Sequence, residues 1–540
     1  MLPLQVQAQS HVPLYVQIRD QLRAMVHTGE LRPGDRIPAS RELAHSLGVH
    51  RTTVANAYAE LESEGLIQGH VGRGTFIRHD AIGAPSNGAP KNGNNGGNGS
   101  SANGGSGIAS LGQRGFTPAP PAIGNGTLRW ESLFADERGE EALSRIYPDG
   151  ENGAISLIAA RPPDEHFPLE ELRTCVQAVL KEAGAEIVQL GSSDGYEPLK
   201  RELLAMLSRE GLRVKSEQLL ITAGVQQSLD LLCKAFLRPG DAVVLEDPTY
   251  PGSMTVFTTA RVRCLGVPVR TVAGAPAGID IEGVEAALTQ NRVKFVLVTP
   301  DWQNPTGATM PIESRRRLLE LAARHQVAVV EDCIYSRLNF VGQRLPSLRA
   351  LDRNGIVIQI DSFSKISFPG LRVGWCIAPE NVVERLRLVK QATDLHTDQL
   401  AQATLAEFTK RGGLERHLKK MRKVYADRAA TLYRALEKNM PAGTDWTKPE
   451  GGMCVWVTLP AGYDASELLI HAREKGVLFA PGRYFYVQAP KPNVFRLGFA
   501  SVDERKIARG VELLGNVLKE EMRKRERGGW RRSESRVALV

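Results

Sequence analysis

A single lysine, Lys365, lies in the segment DSFSKISFPGLR, residues 361–372, among residues that can hold an anion. Ser362 and Ser364 flank it, and Arg372 follows seven residues later. Hydroxyl groups donate hydrogen bonds to phosphate oxygens, and a guanidinium binds phosphate through two parallel hydrogen bonds. The apolar run IVIQI just before the segment predicts a buried strand. We therefore expect Lys365 to present an amine beside a bound anion at the end of a strand.

A second phosphate-binding element is predicted where the run QLLIT leads into AGVQQSLDLL. Gly224, Val225 and Gln226 would open a helix directly after a strand. The first N–H groups of a helix have no partner within the helix, so they favour a bound phosphate. Together with the serines and Arg372, this turn would form a phosphate cup.

Four other residues could surround the ring of a pyridine aldehyde that carries such a phosphate. Asp332, at the end of VAVVED, could keep a pyridinium nitrogen protonated and so make the ring an electron sink. Asn304 in QNPTG and Tyr335 could bond a phenolic oxygen, and Tyr250 in EDPTYPG could stack on the ring. Lys365 would form a Schiff base with the aldehyde. Each residue alone is typical of a cap, a turn or the surface, but their joint order favours one site.

The elements that must position these residues are strands alternating with longer helical patterns. The apolar runs are QLLIT, AVVLE, VKFVLVT, VAVVED and IVIQID. This alternation predicts an α/β domain with a mainly parallel sheet. In such sheets ligands bind beyond the carboxyl ends of the strands, which is where the polar residues above fall.

The first 80 residues have a different pattern, which predicts three helices and a hairpin. Gly48 lies in the tight turn of LAHSLGVHRTTV, between the second and third helices, and Ser40 is expected to be the N-cap of the second. Two helices joined by such a turn are typical of helix-turn-helix domains, but plain three-helix bundles share the pattern. The spacing alone therefore leaves DNA binding and a purely structural bundle open.

The residues around this turn resemble a known family. The stretch from PLYVQIRDQLR through GELRPGDRIPASRELAHSLGVHRTTVANAYAELESEGLI to GRGTF is similar to the GntR family of winged helix-turn-helix regulators. The resemblance implies double-stranded operator DNA as a partner. It also implies DNA contacts by residues at the starts of two helices and in the wing: Arg41, Arg51, Thr52, Thr53 and Gly72.

The C-terminal part, from about residue 150 to 515, resembles the fold-type I, class I aminotransferases. The motifs DPTYPG, NPTG, VEDCIY, SFSKISFPGLRVGW and FRLGF carry this resemblance. It implies pyridoxal 5′-phosphate as the cofactor, with Lys365 as the Schiff-base lysine and the other residues in the roles given above. Arg496 in VFRLGFA matches the arginine that binds an amino acid's α-carboxylate through a bidentate pair.

Two positions depart from the aminotransferase pattern. Leu190 stands where the family commonly has a tyrosine that reaches the cofactor of the neighbouring subunit. Leucine cannot form a hydrogen bond, so either Tyr196 or another residue substitutes, or turnover is impaired. The stretch ARPPDEHFP also lacks the usual glycine near Ala160 and Arg161, and Arg161 is either a substrate contact or a surface charge.

Residues 81–126 are rich in Gly, Asn and Pro and have almost no branched apolar side chains, which predicts a flexible linker. A coil of this length has a root-mean-square reach of roughly 35–40 Å. The predicted order is a winged helix-turn-helix in 1–80, the linker, an aminotransferase-like domain in 127–521, and a basic tail in 522–540.

The totals limit the possible classes of protein. The net charge of +8 is compatible with nucleic-acid binding, but residues 1–80 hold eight arginines against eight acidic residues, so that DNA binding must depend on how the arginines are placed. Six scattered cysteines predict reduced thiols, and no signal peptide or membrane-spanning run is read, which together indicate a cytoplasmic location. No metal site is expected.

The combination of a GntR-type domain and an aminotransferase-like domain resembles the MocR-type transcriptional regulators. This resemblance implies a homodimer that senses pyridoxal phosphate, or an amino compound through it, as an aldimine at Lys365. One alternative is a working aminotransferase with an accessory DNA-binding domain, and Leu190 argues mildly against it. Another is a repressor whose second domain is only a dimer scaffold without a cofactor.

Overall fold

The computed structural model describes two compact units, one within residues 1–124 and one within residues 125–540. The residues described are Leu4, Val6 and 14–28, 30–32, 34–49, 51–63, 66–70, 74–77, 153–272 and 275–526. The predicted linker and most of the basic tail lie outside these residues, and their boundaries stay a prediction.

The N-terminal unit has the predicted three helices and hairpin. The helices are α1 (Leu14–Thr28), α2 (Ser40–Leu47) and α3 (Arg51–Ser63). The strands β1 (Arg36–Ile37), β2 (Ile67–His70) and β3 (Gly74–Ile77) form an antiparallel sheet in the order β1-β3-β2. Ile18, Leu22, Val54 and Leu61 bury their side chains between the helices, since they recur at helical spacing on facing sides.

The turn between α2 and α3 is as predicted, but the cap before α2 is not. Gly48 adopts a left-handed conformation with φ of 64° and ends α2. Ser40 is not the N-cap, because it already belongs to the helix and the extended Ala39 precedes it. The backbone N–H of Ala39 is bonded by the Glu42 side chain at 3.3 Å, so an acidic residue in the first turn satisfies this end.

The larger unit is built on a central sheet that is mainly parallel, as predicted. Its eight strands lie within the described residues in the order β5-β12-β11-β10-β9-β6-β7-β8. The strand bounds are β5 Leu219–Thr222, β6 Ala242–Asp247, β7 Arg263–Val272, β8 Ala275–Ile279, β9 Val293–Val298, β10 Ala328–Asp332, β11 Val357–Ser362 and β12 Gly374–Ile377. All five apolar runs noted in the sequence are strands. The strands β8 and β12 run antiparallel to their neighbours.

Helices cover both faces of this sheet and continue into a smaller second layer. A two-residue strand, β4 (Ile155–Ser156), precedes the first of them. The helices are α4 Leu169–Ala183, α5 Glu197–Arg209, α6 Val225–Phe236, α7 Pro251–Thr259, α8 Ile281–Gln290, α9 Ile312–Arg324, α10 Leu348–Leu351, α11 Glu380–Asp394, α12 Gln399–Lys410, α13 Gly413–Asn439, α14 Ala465–Glu474 and α15 Glu504–Glu526. Strands β5, β6 and β9 to β12 are almost wholly buried, because both of their faces carry apolar side chains.

The smaller layer contains an antiparallel sheet near the C-terminus. Its strands are β13 Asp445–Trp446, β14 Cys454–Thr458, β16 Ala480–Pro481 and β17 Val494–Gly498, in the order β13-β14-β17-β16. A short strand β15 (Val477–Leu478) pairs in parallel with β4. This sheet carries Arg496 on β17.

Two further expectations concern the whole described chain. The six cysteines are unpaired in the structure, and five of them are buried, in line with the expectation of mostly buried thiols. No helix within the described residues combines the length and the apolar character needed to cross a bilayer.

Candidate cofactor site

A cavity of about 150 Å³ lies where the strands β5, β6, β9, β10 and β11 end. Nine of the predicted cofactor residues line it: Val225, Gln226, Tyr250, Asn304, Asp332, Tyr335, Ser364, Lys365 and Arg372. They come from segments that lie as far as 147 residues apart in sequence, from Val225 to Arg372, and the parallel strands bring these segments to one edge of the sheet.

One end of the cavity has the features of an anion site. Helix α6 begins there at Val225, so its first N–H groups have no partner within the helix. Arg372 donates one hydrogen bond to the Ser364 hydroxyl at 3.2 Å and another to the Ala223 carbonyl at 3.2 Å. The hydroxyl oxygens of Ser362 and Ser364 are 2.9 Å apart. The residues predicted to form a phosphate cup therefore lie close together.

Gly224 makes the turn into α6 possible. Its φ is 97°, a conformation that residues with a side chain rarely adopt. A Cβ atom at this position would lie 2.9 Å from an Nη atom of Arg372. The glycine thus keeps the arginine close to the helix N-terminus, which concentrates donors at this end of the cavity.

Lys365 lies half-buried in the cavity wall, and its Nζ donates to the Ala160 carbonyl at 2.7 Å. Burial, and then the positive charge of Arg496, lower the pKa of Lys365 to about 8. A larger fraction of its amine is therefore neutral near neutral pH than for an exposed lysine. A neutral amine is the form that attacks an aldehyde.

Asp332 ends β10 and is 8% exposed. Burial raises the pKa of its carboxyl to about 7, and the charge of Asp361 acts in the same direction. Its carboxylate accepts a hydrogen bond from the Ile334 N–H at 3.0 Å. A buried carboxyl with such a pKa can share a proton with a pyridine nitrogen.

Asn304, Tyr335 and Arg496 form a connected group. Asn304 donates to the Tyr335 hydroxyl at 3.5 Å, and its carbonyl oxygen accepts from Arg496 at 2.7 Å. Arg496 also donates to the Ile158 carbonyl at 2.6 Å and is 1% exposed. It lies behind Asn304 rather than among the residues that line the cavity, and its buried Nε has no hydrogen-bond partner among the described residues.

Sequence reasoning missed three lining residues: Ala160, Thr299 and Ile334. None of them has a side chain typical of catalysis. Ala160 contributes a backbone carbonyl, and Thr299 follows β9 directly, where its N–H donates to the buried Glu246 at 3.1 Å. The available signals were the position of Thr299 at the end of the predicted strand VKFVLVT and the departure from the aminotransferase pattern near Ala160.

A family model described as "Aminotransferase class I and II" matches residues 160–514, which is more than half of the chain. The chain belongs to the aminotransferase class I and II family. A second model, "Bacterial regulatory proteins, gntR family", matches residues 14–77. The N-terminal unit is therefore a GntR-type DNA-binding domain, which confirms that prediction.

Relatives of two kinds match this member of the family. The solved structure of LysN, an α-aminoadipate aminotransferase of Thermus thermophilus complexed with N-(5′-phosphopyridoxyl)-L-leucine, is 35% identical, with a TM-score of 0.66, and covers 73% of this chain and 100% of that one. Two regulators span both units. HTH-type transcriptional regulator TauR of Rhodobacter capsulatus is 29% identical over 93% of this chain and 96% of its own length. "Probable rhizopine catabolism regulatory protein MocR" of Rhizobium meliloti is 26% identical over 94% of both.

The MocR-type architecture read from the sequence is thus confirmed, and pyridoxal phosphate is the cofactor of the aminotransferase family. The residues of this cavity fit that group on the geometry alone. A helix N-terminus, Ser364 and Arg372 converge at one end, where Gly224 keeps the turn open, and a buried carboxyl and an amine face the middle. The assignment of single residues to parts of the cofactor stays a prediction.

Of the residues at the two departures from the aminotransferase pattern, Leu190 and Arg161 are exposed, whereas Ala160 lines the cavity. Leu190 is 78% exposed in this chain. Tyr196 packs against the core and does not line the cavity of its own chain, and its substitution for the missing tyrosine stays a prediction. Arg161 is exposed and lies 3.5 Å from Asp164, which favours a surface charge.

The predicted DNA contacts lie partly outside the described residues. Arg41 is the second residue of α2, and Arg51, Thr52 and Thr53 begin α3. Of their side chains only that of Thr53 is described, and it is half-buried. Gly72 lies outside the described residues. No group of three or more His, Cys, Asp or Glu side chains within the described ranges could hold a metal ion.

Proposed function

We propose that this chain is a transcriptional regulator that binds pyridoxal 5′-phosphate in the cavity and responds there to the cofactor or to an amino compound. One observation carries the proposal: Lys365, Asp332 and Asn304 converge in a single cavity on a chain whose first unit is a GntR-type DNA-binding domain. A sensor needs both parts, whereas an enzyme needs only the first.

In this proposal the chain's own residues divide the task of holding the cofactor. The α6 N-terminus, Ser362, Ser364 and Arg372 bind the phosphate, and Tyr250 packs on the ring. Asp332 holds the proton of the ring nitrogen, while Asn304 and Tyr335 bond the phenolic oxygen. When bound, the cofactor supplies an aldehyde for amines and an electron-withdrawing ring. Lys365 presents the amine that an incoming amino compound must displace.

Arg496 gives the proposed site a preference for amino compounds that also carry a carboxylate. Its buried Nε lacks a partner within the described part of the chain, and its guanidinium stacks over the Phe485 ring at 4.7 Å. A carboxylate that reaches it would replace the Asn304 carbonyl as acceptor. Asn304 in turn contacts Tyr335, so a ligand at Arg496 changes the hydrogen bonds on the cofactor side.

Ligand binding acts on DNA only if it changes how the DNA-binding units are held. We propose a cytoplasmic homodimer, in which two GntR-type units bind two half-sites of double-stranded operator DNA. Leu190, a large exposed leucine at the position where aminotransferases commonly have a tyrosine that reaches the neighbouring subunit, supports an interface there.

The test begins by selecting DNA sites for the full-length protein from a pool of random duplexes. The affinity for the selected duplex is then measured by fluorescence anisotropy, with and without pyridoxal phosphate, across a panel of amino acids, ω-amino acids and simple amines. We expect the affinity to change with the cofactor or with one class of amine. Equal affinity under all conditions would contradict the sensor function.

A working aminotransferase is the second candidate, and the pKa of Lys365 favours it. An amine with a pKa of about 8 is suited to move a proton as a general base near neutral pH. The test is to mix the protein with amino-acid and ketoacid pairs and follow product over many turnovers. Sustained turnover at ordinary enzymatic rates supports this candidate, and a single stoichiometric conversion supports the sensor.

A further inference from the structure

A buried cluster of charges lies behind the cofactor cavity and takes no part in lining it. At its centre is Arg337, whose side chain is 3% exposed. Its Nε and Nη2 donate to the two oxygens of Glu210 at 2.7 and 2.9 Å, and its Nη1 donates to Asp361. Glu210, near the end of α5, also binds Arg344 at 3.0 Å. One guanidinium thus ties two carboxylates that are 151 residues apart in sequence.

Two further contacts hold Arg337 in place. It follows Tyr335 by two residues, and its carbonyl accepts a hydrogen bond from Arg422 at 2.9 Å. Its guanidinium lies over the Trp375 ring, with 5.4 Å to the ring centre. Trp375 is directly opposite Asp361 in the antiparallel pairing of β12 with β11. The side chain therefore has little freedom to choose another arrangement.

Asp361 connects this cluster to the cofactor side of the sheet. It is 1% exposed, and its second oxygen accepts from the Ser362 N–H at 2.7 Å. Ser362 then reaches Ser364 through its hydroxyl, and Lys365 follows. Arg337 is thus hydrogen-bonded to Asp361, at the start of the segment that carries Lys365, and it follows Tyr335 by two residues in the chain. Tyr335 and the Lys365 segment are two parts of the cavity wall that follow different strands, β10 and β11.

We propose that Arg337 is a positioning residue for the cofactor site: its bonds to Asp361 and Glu210 hold the Ser362–Lys365 segment and the Tyr335 turn in register. This inference rests on the proposed cofactor function. Arg337 does not touch the cavity, so it acts through residues that do. Only a planar fork can satisfy both carboxylates at once, which a lysine at the same position cannot do.

The test compares full-length wild type with Arg337→Met and Arg337→Lys. The dissociation constant for pyridoxal phosphate is measured by fluorescence titration, and the induced circular dichroism per bound cofactor reports the orientation of the ring. We expect Arg337→Met to raise the dissociation constant on the order of tenfold and to reduce the induced signal. Arg337→Lys should have a dissociation constant and an induced signal between those of wild type and Arg337→Met. It keeps the positive charge but can bind only one of the two carboxylates.

The matched control is Arg428→Met. Arg428 is equally buried, at 3% exposure, and binds Glu165 at 2.8 Å, but none of its partners lines the cavity. We expect it to lose thermal stability and to keep the dissociation constant within about twofold of wild type. A cofactor constant and an induced signal in Arg337→Met that match wild type would overturn the inference.

Should Arg337→Met fail to fold, Arg337→Lys and Glu210→Gln carry the test, because Glu210 is partly exposed and tolerates change better. Both are expected to weaken cofactor binding in the same direction, and unchanged binding in both would reject the positioning role. If wild type itself binds no pyridoxal phosphate, the proposed function fails instead.

Discussion

One physical cause, burial, shifts the pKa values of Asp332 and Lys365 towards each other. Removal from bulk water disfavours the charged form of each, which raises the pKa of the acid to about 7 and lowers that of the amine to about 8. Near neutral pH the pair is therefore neither fully charged nor fully neutral. A carboxyl that shares a proton with a ring nitrogen and an amine that attacks an aldehyde both need this range.

The raised pKa of Asp332 predicts that the free energy of unfolding of the cofactor-free protein depends on pH. The ordinary value is 3.8 and the folded value about 7, so the folded state binds the proton more tightly than the unfolded state. The free energy of unfolding should fall as pH rises from 4 to 7, by at most about 1.4 kcal/mol per pH unit for this group. In Asp332→Asn this part of the slope should vanish.

Urea unfolding of both proteins at pH 5, 6 and 7 measures this slope. Tryptophan fluorescence suits the measurement because residues 1–80 contain no tryptophan, so it does not report the first unit. Glu246, whose pKa burial raises to about 8 with a smaller contribution from the charge of Asp332, remains in both proteins and keeps most of its slope, because burial is the larger cause. Equal slopes for wild type and Asp332→Asn would contradict the prediction.

Lys365→Ala should abolish the visible absorption of the protein incubated with pyridoxal phosphate, because no other lysine of the described ranges lines the cavity. Borohydride treatment followed by mass spectrometry checks whether the cofactor becomes fixed to this residue. Lys390→Met is the control, since Lys390 is also buried but pairs with Asp394 on α11. A wild-type protein without the absorption band would favour the scaffold-only alternative, and an undiminished band in Lys365→Ala would place the attachment elsewhere.

At the level of elements, Gly224 links the backbone conformation of the turn from β5 into α6 to the proposed anion binding there. Gly224→Ala forces a side chain onto a φ of 97° and against Arg372. We expect a loss of about 1–2 kcal/mol in the free energy of unfolding. Because Arg372 is displaced, the affinity for pyridoxal phosphate should fall roughly tenfold, which fluorescence titration measures.

Gly240→Ala separates backbone strain from the clash with Arg372. Gly240 has a similar φ of 88°, but a Cβ there would meet nothing within 4 Å. This variant should lose stability and keep its affinity for the cofactor. If both alanine variants bind the cofactor equally well, the turn has no special role in holding phosphate.

The sequence predicted five of the eight strands of the central sheet, though not the parallel strand β7, and it predicted most of the cavity, because these features depend on local patterns. Buried strands appear as short apolar runs, and residues after them gather at one sheet edge. The antiparallel strand β12 was not predicted, since GWCI is too short to distinguish from a loop. Arg337, Asp361 and Glu210 were missed for another reason: their pairing depends on tertiary contacts between residues far apart in the chain.

At the level of the whole molecule, the predicted linker would limit how far apart two DNA-binding units of the proposed homodimer can bind. A coil of 46 residues, 81–126, reaches roughly 35–40 Å, which is close to one turn of DNA between half-sites. Removing half of it shortens the reach to roughly 26 Å. We therefore expect a half-length variant to bind a selected two-half-site duplex more weakly, while its affinity for a single half-site stays the same.

Replacing residues 81–126 by a Gly/Ser segment of equal length is the control, because it keeps reach and changes composition. This variant should bind both duplexes as wild type does. Cofactor titration should be unchanged in both variants, since the cavity lies entirely within the second unit. Fluorescence anisotropy on duplexes with one and two half-sites measures the effect. If the half-length variant keeps full affinity for two half-sites, the spacing is set by contacts between the folded units, and the linker serves only as a connection.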